Sequence, residues 1–209
     1  MQFDYIRDPD AIYAESFRRI RAETALGGLE PSLEAVTVRL VHACGMPEIV
    51  ADVVASPDAA GRARDALDGG AAILCDARMV AEGIIRRRLP ADNAVICTLN
   101  DDGVAGHARS IGNTRSAAAV DFWRDRMAGA VAAIGNAPTA LFRLLELIAD
   151  GAPEPAAILG FPVGFVGAAE SKDALIKHAG EIPFITLRGR LGGSAMAAAA
   201  VNAIAGDLP

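Results

Sequence analysis

Apolar residues in the first third of the chain recur at intervals of three and four, the spacing of a helix that buries one face. From residue 9 to about residue 25, Tyr13, Phe17, Ile20 and Thr24 share a face, with Asp8 or Asp10 as a start signal and Gly27-Gly28 as a stop. A second helix is expected from about residue 32 to residue 44, where Leu33, Val36, Leu40, Val41 and Cys44 form the stripe and Gly45-Met46-Pro47 ends it. Ser56-Pro57-Asp58 caps a third, which closes at Gly69-Gly70. Nothing before residue 70 reads as strand.

Beyond residue 70 the pattern changes to short apolar runs at 71–75, 94–99, 130–134, 156–159 and 184–187, each of a length suited to a strand covered on both faces. Helical stretches lie between and after them, at about 77–85, 114–127, 138–149, 171–179 and 194–205. Five strands alternating with helices imply an α/β fold: a doubly wound, five-stranded, mainly parallel sheet with helices on both faces and a helical N-terminal extension. Residues 1–209 read as a single domain, helical up to residue 70 and alternating from 71 onward.

Right-handed crossovers gather the strand C-termini along one edge, and open sheets of this class bind ligands in the crevice outside that edge. The residues following the runs are Asp76-Ala77-Arg78, Asn100-Asp101-Asp102, Gly135-Asn136-Ala137-Pro138-Thr139, the string GFPVG at 160–164 and GRLGGS at 189–194. Such loops let backbone N–H groups approach a ligand, although strand-to-helix turns need glycine in any case. Gly189, Gly192 and Gly193 do not make GxGxxG, residues 160–172 do not hold GxxxxGK[ST], and GxSxG is absent. NAD, a phosphate loop and a nucleophile elbow are therefore unsupported.

A net charge of −6 removes the basic stripe that nucleic-acid binding needs, but a small polyanion could still be held by local cations and helix N-termini. Cys44, Cys75 and Cys97 are odd in number and lack CxxC or zinc spacing, so neither a disulfide framework nor a protein-bound metal is indicated. The opening MQFDYIRDPD has no apolar core for a secretory signal, and no apolar run reaches about 18 residues. A soluble cytoplasmic protein with no membrane partner is expected.

Of the three histidines, His42 has the most informative surroundings. Arg39 and His42 stand at i and i+3, sharing a helix face beside the apolar stripe. Arg39 alone would discourage protonation of the imidazole, and an anion paired to Arg39 would cancel that effect and let His42 act as an acid near neutral pH. The alternative is an ordinary surface or interface histidine. Cys44 points to roughly the opposite side of the helix, so it is a poor partner for His42. His107 falls in a polar loop and His178 near a helix end, where a cation complements the helix dipole. Ile111-Gly112-Asn113-Thr114-Arg115-Ser116 places arginine in a helix's first turn, where either a bound anion or simple exposure accounts for it. Ser16, between Tyr13 and Phe17, is a plausible hydrogen-bond donor.

Several separated strings together resemble the precorrin-8X methylmutase family: VHACG at 41–45, ILCD at 73–76, IGNTRS at 111–116, AIGNAPTAL at 133–141, GFPVGFVGAAESK at 160–172 and GRLGGSA at 189–195. The likeness runs through nearly the whole chain in order. It implies a flavodoxin-like homodimer, an isomerase of cobalamin biosynthesis that moves a methyl group from C-11 to C-12 of precorrin-8X to give hydrogenobyrinate. By the same resemblance His42 is the proton donor and acceptor, and Ser16 and Arg39 bind substrate. Arg115 is added as a partner for a peripheral carboxylate of the tetrapyrrole. No cofactor is needed for an intramolecular shift driven by one acid/base group. Other readings are the cobalt-bearing version giving cobyrinate, a non-catalytic corrinoid carrier, and an unrelated flavodoxin-like enzyme acting on another carboxylated metabolite.

Overall fold

The computed structural model describes residues 1–206. Helix α1 (Pro9–Glu23) starts where Asp8 accepts a hydrogen bond from the Ala11 N–H at 2.8 Å, with Pro9 in the first turn. Helix α2 (Pro31–Cys44) ends on Gly45, whose left-handed φ of 71° turns its N–H back to the Val41 carbonyl. Phe17 and Ile20 of α1 are buried on the layer that holds α2, each contributing about 1.5–3 kcal/mol of hydrophobic stabilisation.

After a 3-10 turn (Pro47–Asp52) come β1 (Val53–Ala55), α3 (Ala59–Asp68), β2 (Ile73–Cys75), α4 (Arg78–Gly83), β3 (Val95–Ile96), α5 (Val104–Ser110) and α6 (Arg115–Asp121). The chain continues through β4 (Val131–Ile134), α7 (Pro138–Ala149), β5 (Ala157–Gly160), α8 (Ala168–His178), β6 (Phe184–Leu187) and α9 (Ser194–Ala205). The sheet order is β1-β6-β5-β4-β2-β3, in which β2 to β6 run parallel and β1 pairs antiparallel with β6. Numbered among themselves, the five parallel strands follow the flavodoxin order, with the topological switch point between β2 and β4.

The five expected strands are all present, but the sheet has six. The extra one, β1, lies in the stretch that reads as helix only: it is three half-buried residues long and is held as an edge strand by register with Leu187, Thr186 and Ile185. A second departure is α5, which occupies part of the expected polar loop and so puts His107 on a helix. The long helix expected at 114–127 is α6 followed by a separate 3-10 turn at Arg124–Arg126.

Alternation along the strands sorts the core into two layers. Ile73, Cys75, Val131, Ala133, Leu159 and Ile185 face the side covered by α2, α3, α4 and α9, with α1 packed outside α2. Leu74, Ala132, Ile134 and Ile158 face the side covered by α6, α7 and α8. Ala197 to Val201 of α9 are buried throughout, small enough to let that helix sit between the sheet and α2.

Candidate active site

Helices α1 and α2 bring together three of the four residues singled out in the sequence. Ser16 Oγ and His42 Nδ1 share a hydrogen bond of 2.9 Å. The His42 ring stacks on Tyr13 with centroids 5.5 Å apart and meets Phe17 edge-on at 5.2 Å. The Arg39 guanidinium lies over both aromatic rings, at 5.7 Å from Tyr13 and 5.9 Å from Phe17, and the residue as a whole is only 4% exposed. A hollow of about 230 Å³ beside the ring is lined by Ser16, Arg19, Ile20, His42, Gly45 and Pro47. A second, of about 400 Å³, adjoins it through Ser16 and Arg19.

Both nitrogen positions of His42 follow from this packing. Nδ1 is engaged by Ser16, so Nε2 is the nitrogen left for a ligand. A serine hydroxyl both donates and accepts, so it can hold the ring whichever nitrogen carries the proton. Burial lowers the His42 pKa below the ordinary histidine value, and the nearby Arg39 charge lowers it further. The unliganded ring therefore favours the neutral form, and an anion neutralising Arg39 would favour the protonated form that can donate. Arg39→Gln is expected to move the His42 titration upward, read by NMR of the imidazole C–H resonances; an unmoved titration would mean that the guanidinium charge does not reach the ring.

Arg115 is not brought to this cluster. It sits at the start of α6, on the layer across the sheet, where its exposed guanidinium donates to the Leu99 carbonyl at 3.2 Å and to Asn100 Oδ1 at 2.7 Å. Thr114 caps α6 through the Ala117 N–H and also shares a hydrogen bond with Thr139 at the start of α7. Cys44 forms no hydrogen bond with His42; its sulfur points to the carbonyls of Val41 and Met46. His107 is paired with Asp121 at 2.5 Å, in a surface network that continues to Arg143 and Glu146. His178 lies in the last turn of α8.

The loops at the strand C-termini are largely occupied with one another. Asp76, at the end of β2, is 1% exposed and accepts the N–H groups of Gly135, Asn136 and Ala137 at 2.9, 2.9 and 2.7 Å. Burial pushes its carboxyl above the ordinary aspartate range, while these three bonds pull it down. The loops after β5 and β6 are zipped together: Gly193 N–H donates to Phe161, and Gly164 N–H to Arg190. A side chain at Gly192 would run into the carbonyls of Phe161 and Pro162, which explains the glycine there. The fully buried Lys172 ammonium donates to the Leu191 carbonyl at 2.5 Å, and desolvation lowers its pKa to about 8. Phe165 and Val166, at the tip of this loop pair, are 86% and 87% exposed. The reach of Asp76 and Lys172 across the fold is absent from local sequence pattern, as is the Ser16–His42 pairing.

No group of three or more His, Cys, Asp or Glu side chains among the described residues is arranged to hold a metal ion, and no described helix is long and apolar enough to cross a membrane.

A family model described as precorrin-8X methylmutase matches residues 11–206. A precorrin-8X methylmutase from Pseudomonas aeruginosa is 60% identical over 97% of this chain and 97% of its own. A cobalt-precorrin-8 methylmutase from Priestia megaterium is 34% identical over 94% of this chain and 87% of its own. Among solved structures, a precorrin-8X methyl mutase from Thermus thermophilus superposes with a TM-score of 0.85 at 39% identity, covering 94% of each chain. With the family model matched across nearly the whole length, this chain belongs to the precorrin-8X methylmutase family.

Proposed function

We propose that His42 is the acid and base of the methyl shift, that Ser16 and Arg39 hold and tune it at the substrate, and that the ring of the substrate enters over Tyr13 and α1. The chain is an isomerase that converts precorrin-8X to hydrogenobyrinate in cobalamin biosynthesis. The observation that carries the residue assignment is the Ser16–His42 hydrogen bond beside a buried, cationic Arg39.

Substrate and product are isomers, so any proton delivered to the macrocycle must be returned to the protein. One group of near-neutral pKa can do both. In this mechanism a carboxylate of the substrate pairs with Arg39 and cancels its charge, which raises the His42 pKa. Nε2–H then protonates the conjugated ring, leaving it electron-poor and lowering the barrier to migration of the methyl from C-11 to C-12. His42 takes the proton back as the product chromophore forms. Ser16 accepts from Nδ1–H while the ring is cationic and still does so after Nε2 has given up its proton, holding the tautomer whose bare Nε2 can take that proton back.

We also propose that the chain acts as a single domain, in the cytoplasm, as a homodimer. Pairing of β1 with β6 and packing of α2 on α9 support the first, since they tie residues before 70 into the sheet and its covering layer. The open hollows at His42 are formed by residues from α1 and the segment before it, and from α2 and the segment just after it, so a second copy is a natural wall for a large planar ligand. In that arrangement Arg115 of a second copy is the proposed partner for a peripheral carboxylate.

The test is to mix purified protein with precorrin-8X, and separately with cobalt-precorrin-8, and follow the visible spectrum. Conversion of the metal-free substrate to hydrogenobyrinate is expected at the higher rate, by a species of twice the chain mass in light scattering. Binding without spectral conversion of either substrate would leave a corrinoid carrier as the reading, and a monomer active at full rate would remove the homodimer.

A further inference from the structure

We infer that the paired loops after β5 and β6 form a knob that a second copy of this chain receives in the hollow next to its own His42 site, so that each copy walls the site of the other. The inference rests on the reading above, in which a second copy completes that site, and it names the two surfaces that meet.

The hollow at His42 does not end there. It shares Glu23 and Pro47 with a further hollow of about 540 Å³, lined also by Leu29, Glu48, Val50 and Ala51. Together with the one reached through Ser16 and Arg19, they make a trough of three hollows with that of His42 in the middle. Glu23 and Glu48 are exposed and form no ion pair among the described residues, and no basic side chain lines their end of the trough. Two glutamates repel a polycarboxylate, so this apolar, acidic end suits a different occupant from the substrate.

The knob has the matching character. Phe165 and Val166 stand almost fully exposed at its tip, with exposed Val163 and Leu191 beside them. Single apolar residues on a surface need no partner, but a cluster of this kind marks a place of contact. Arg190 lies over the Phe165 ring at 5.0 Å, and Arg188 is also exposed, reaching only Asp173 at 4.0 Å. Aromatic and arginine side chains are the types enriched where proteins meet. The Gly164 N–H donates to the Arg190 carbonyl and the buried Lys172 to that of Leu191, which ties the two loops into one base for the tip.

Position decides the occupant. Ala51 lines the acidic hollow, and the next residue, Asp52, lines the cleft beneath the knob with Phe165, Arg188 and Arg190. The Asp52 carbonyl accepts from the Arg188 N–H at 2.8 Å. Knob and hollow are therefore neighbours on one surface, separated by the turn into β1. A two-fold axis near that turn lets the knob of each copy enter the hollow of the other, so both contacts close together. Arginines then face glutamates at both contacts, and the seated knob shuts the acidic end of the trough. The His42 hollow and the one beyond Ser16 are left for the substrate.

Paired charge reversals test which surfaces meet. Glu23→Lys with Glu48→Lys changes only the hollow, and Arg188→Glu with Arg190→Glu changes only the knob. Each variant alone sets like charges against each other at both contacts, so each is expected to be a monomer in light scattering at concentrations where the wild type has twice the chain mass. Mixed in equal amounts, the two variants bring opposite charges together at both contacts; the dimer should return, and weaken as salt rises. Phe165→Ser lies outside the core of the monomer and should weaken self-association about a hundredfold, because a dimer buries two such rings and each is worth about tenfold or more. Variants that remain dimeric alone, a mixture that remains monomeric, or a monomeric wild type would each overturn the inference. A wild type that dimerises as described without converting precorrin-8X would overturn the functional reading and leave the interface in place.

Discussion

Replacing His42 with alanine is expected to slow conversion of precorrin-8X by about 10²–10⁴-fold, the usual contribution of a positioned acid/base group. The ring packs edge-on against Phe17 and stacks on Tyr13, so the variant also loses some contact between α1 and α2. A melting curve and a hydrogenobyrinate titration on the same preparation keep that loss apart from the chemistry. Binding within a few-fold of wild type with conversion nearly abolished assigns the proton to His42; equal conversion would remove it as the acid and return the site to a packing role.

The pH dependence carries a further sign. The unliganded His42 pKa lies below the ordinary histidine value because of burial and the Arg39 charge. If His42 must begin protonated, kcat/KM falls as pH rises through that lowered pKa, because this ratio reports the free enzyme. Once a substrate carboxylate neutralises Arg39, the pKa in the complex is higher, so the corresponding fall in kcat should come at higher pH. Coincident profiles would mean that substrate binding leaves the imidazole's surroundings unchanged. In Ser16→Ala the half-buried ring loses its partner on Nδ1 but keeps Nε2, and a smaller loss of kcat than in His42→Ala follows.

The legible parts of the fold were those whose signal is local. Helices α2 and α7 carry a proline in the first turn and a continuous apolar stripe, and their limits agree closely with the sequence pattern. Strand β1 is invisible to such reading because three half-buried residues have no period, and only β6 makes them a strand. Helix α5 buries just Val104 and Ala108 and contains Gly106, so its sequence resembles a loop. The same division holds at the site. Arg39 and His42 are related by spacing on one helix, whereas Ser16 meets His42 across 26 residues of sequence.

Asp76→Ala is expected to lower stability by about 3–5 kcal/mol, because three backbone N–H donors lose their acceptor, each at a cost of about 1–3 kcal/mol where it is buried. At roughly 2–4 °C per kcal/mol for a domain of this size, the melting temperature should fall by on the order of 10 °C. The reason lies at the switch point of the sheet. The chain leaves β2 for α4 on one face and β4 for α7 on the other, and the turn from β4 into α7 presents the N–H groups of Gly135, Asn136 and Ala137 in succession. Helix α7 has no side-chain cap of its own from Ala137, so the carboxylate arriving from β2 supplies both the acceptor and the negative charge that a helix N-terminus favours. Alanine would leave three donors facing a void in a buried position. Asp76→Asn fills the void but offers a single acceptor oxygen and turns an NH₂ group toward other donors, so it should recover only part of the loss. A fall of less than about 3 °C in Asp76→Ala would mean that the three N–H groups find water or other partners. Sheets of this topology commonly bind ligands at the switch point. Here the place is filled by the protein's own carboxylate, which fixes the loop leading to Thr139 and its bond to Thr114, while the residues proposed for catalysis gather on α1 and α2, with α9 between α2 and the sheet.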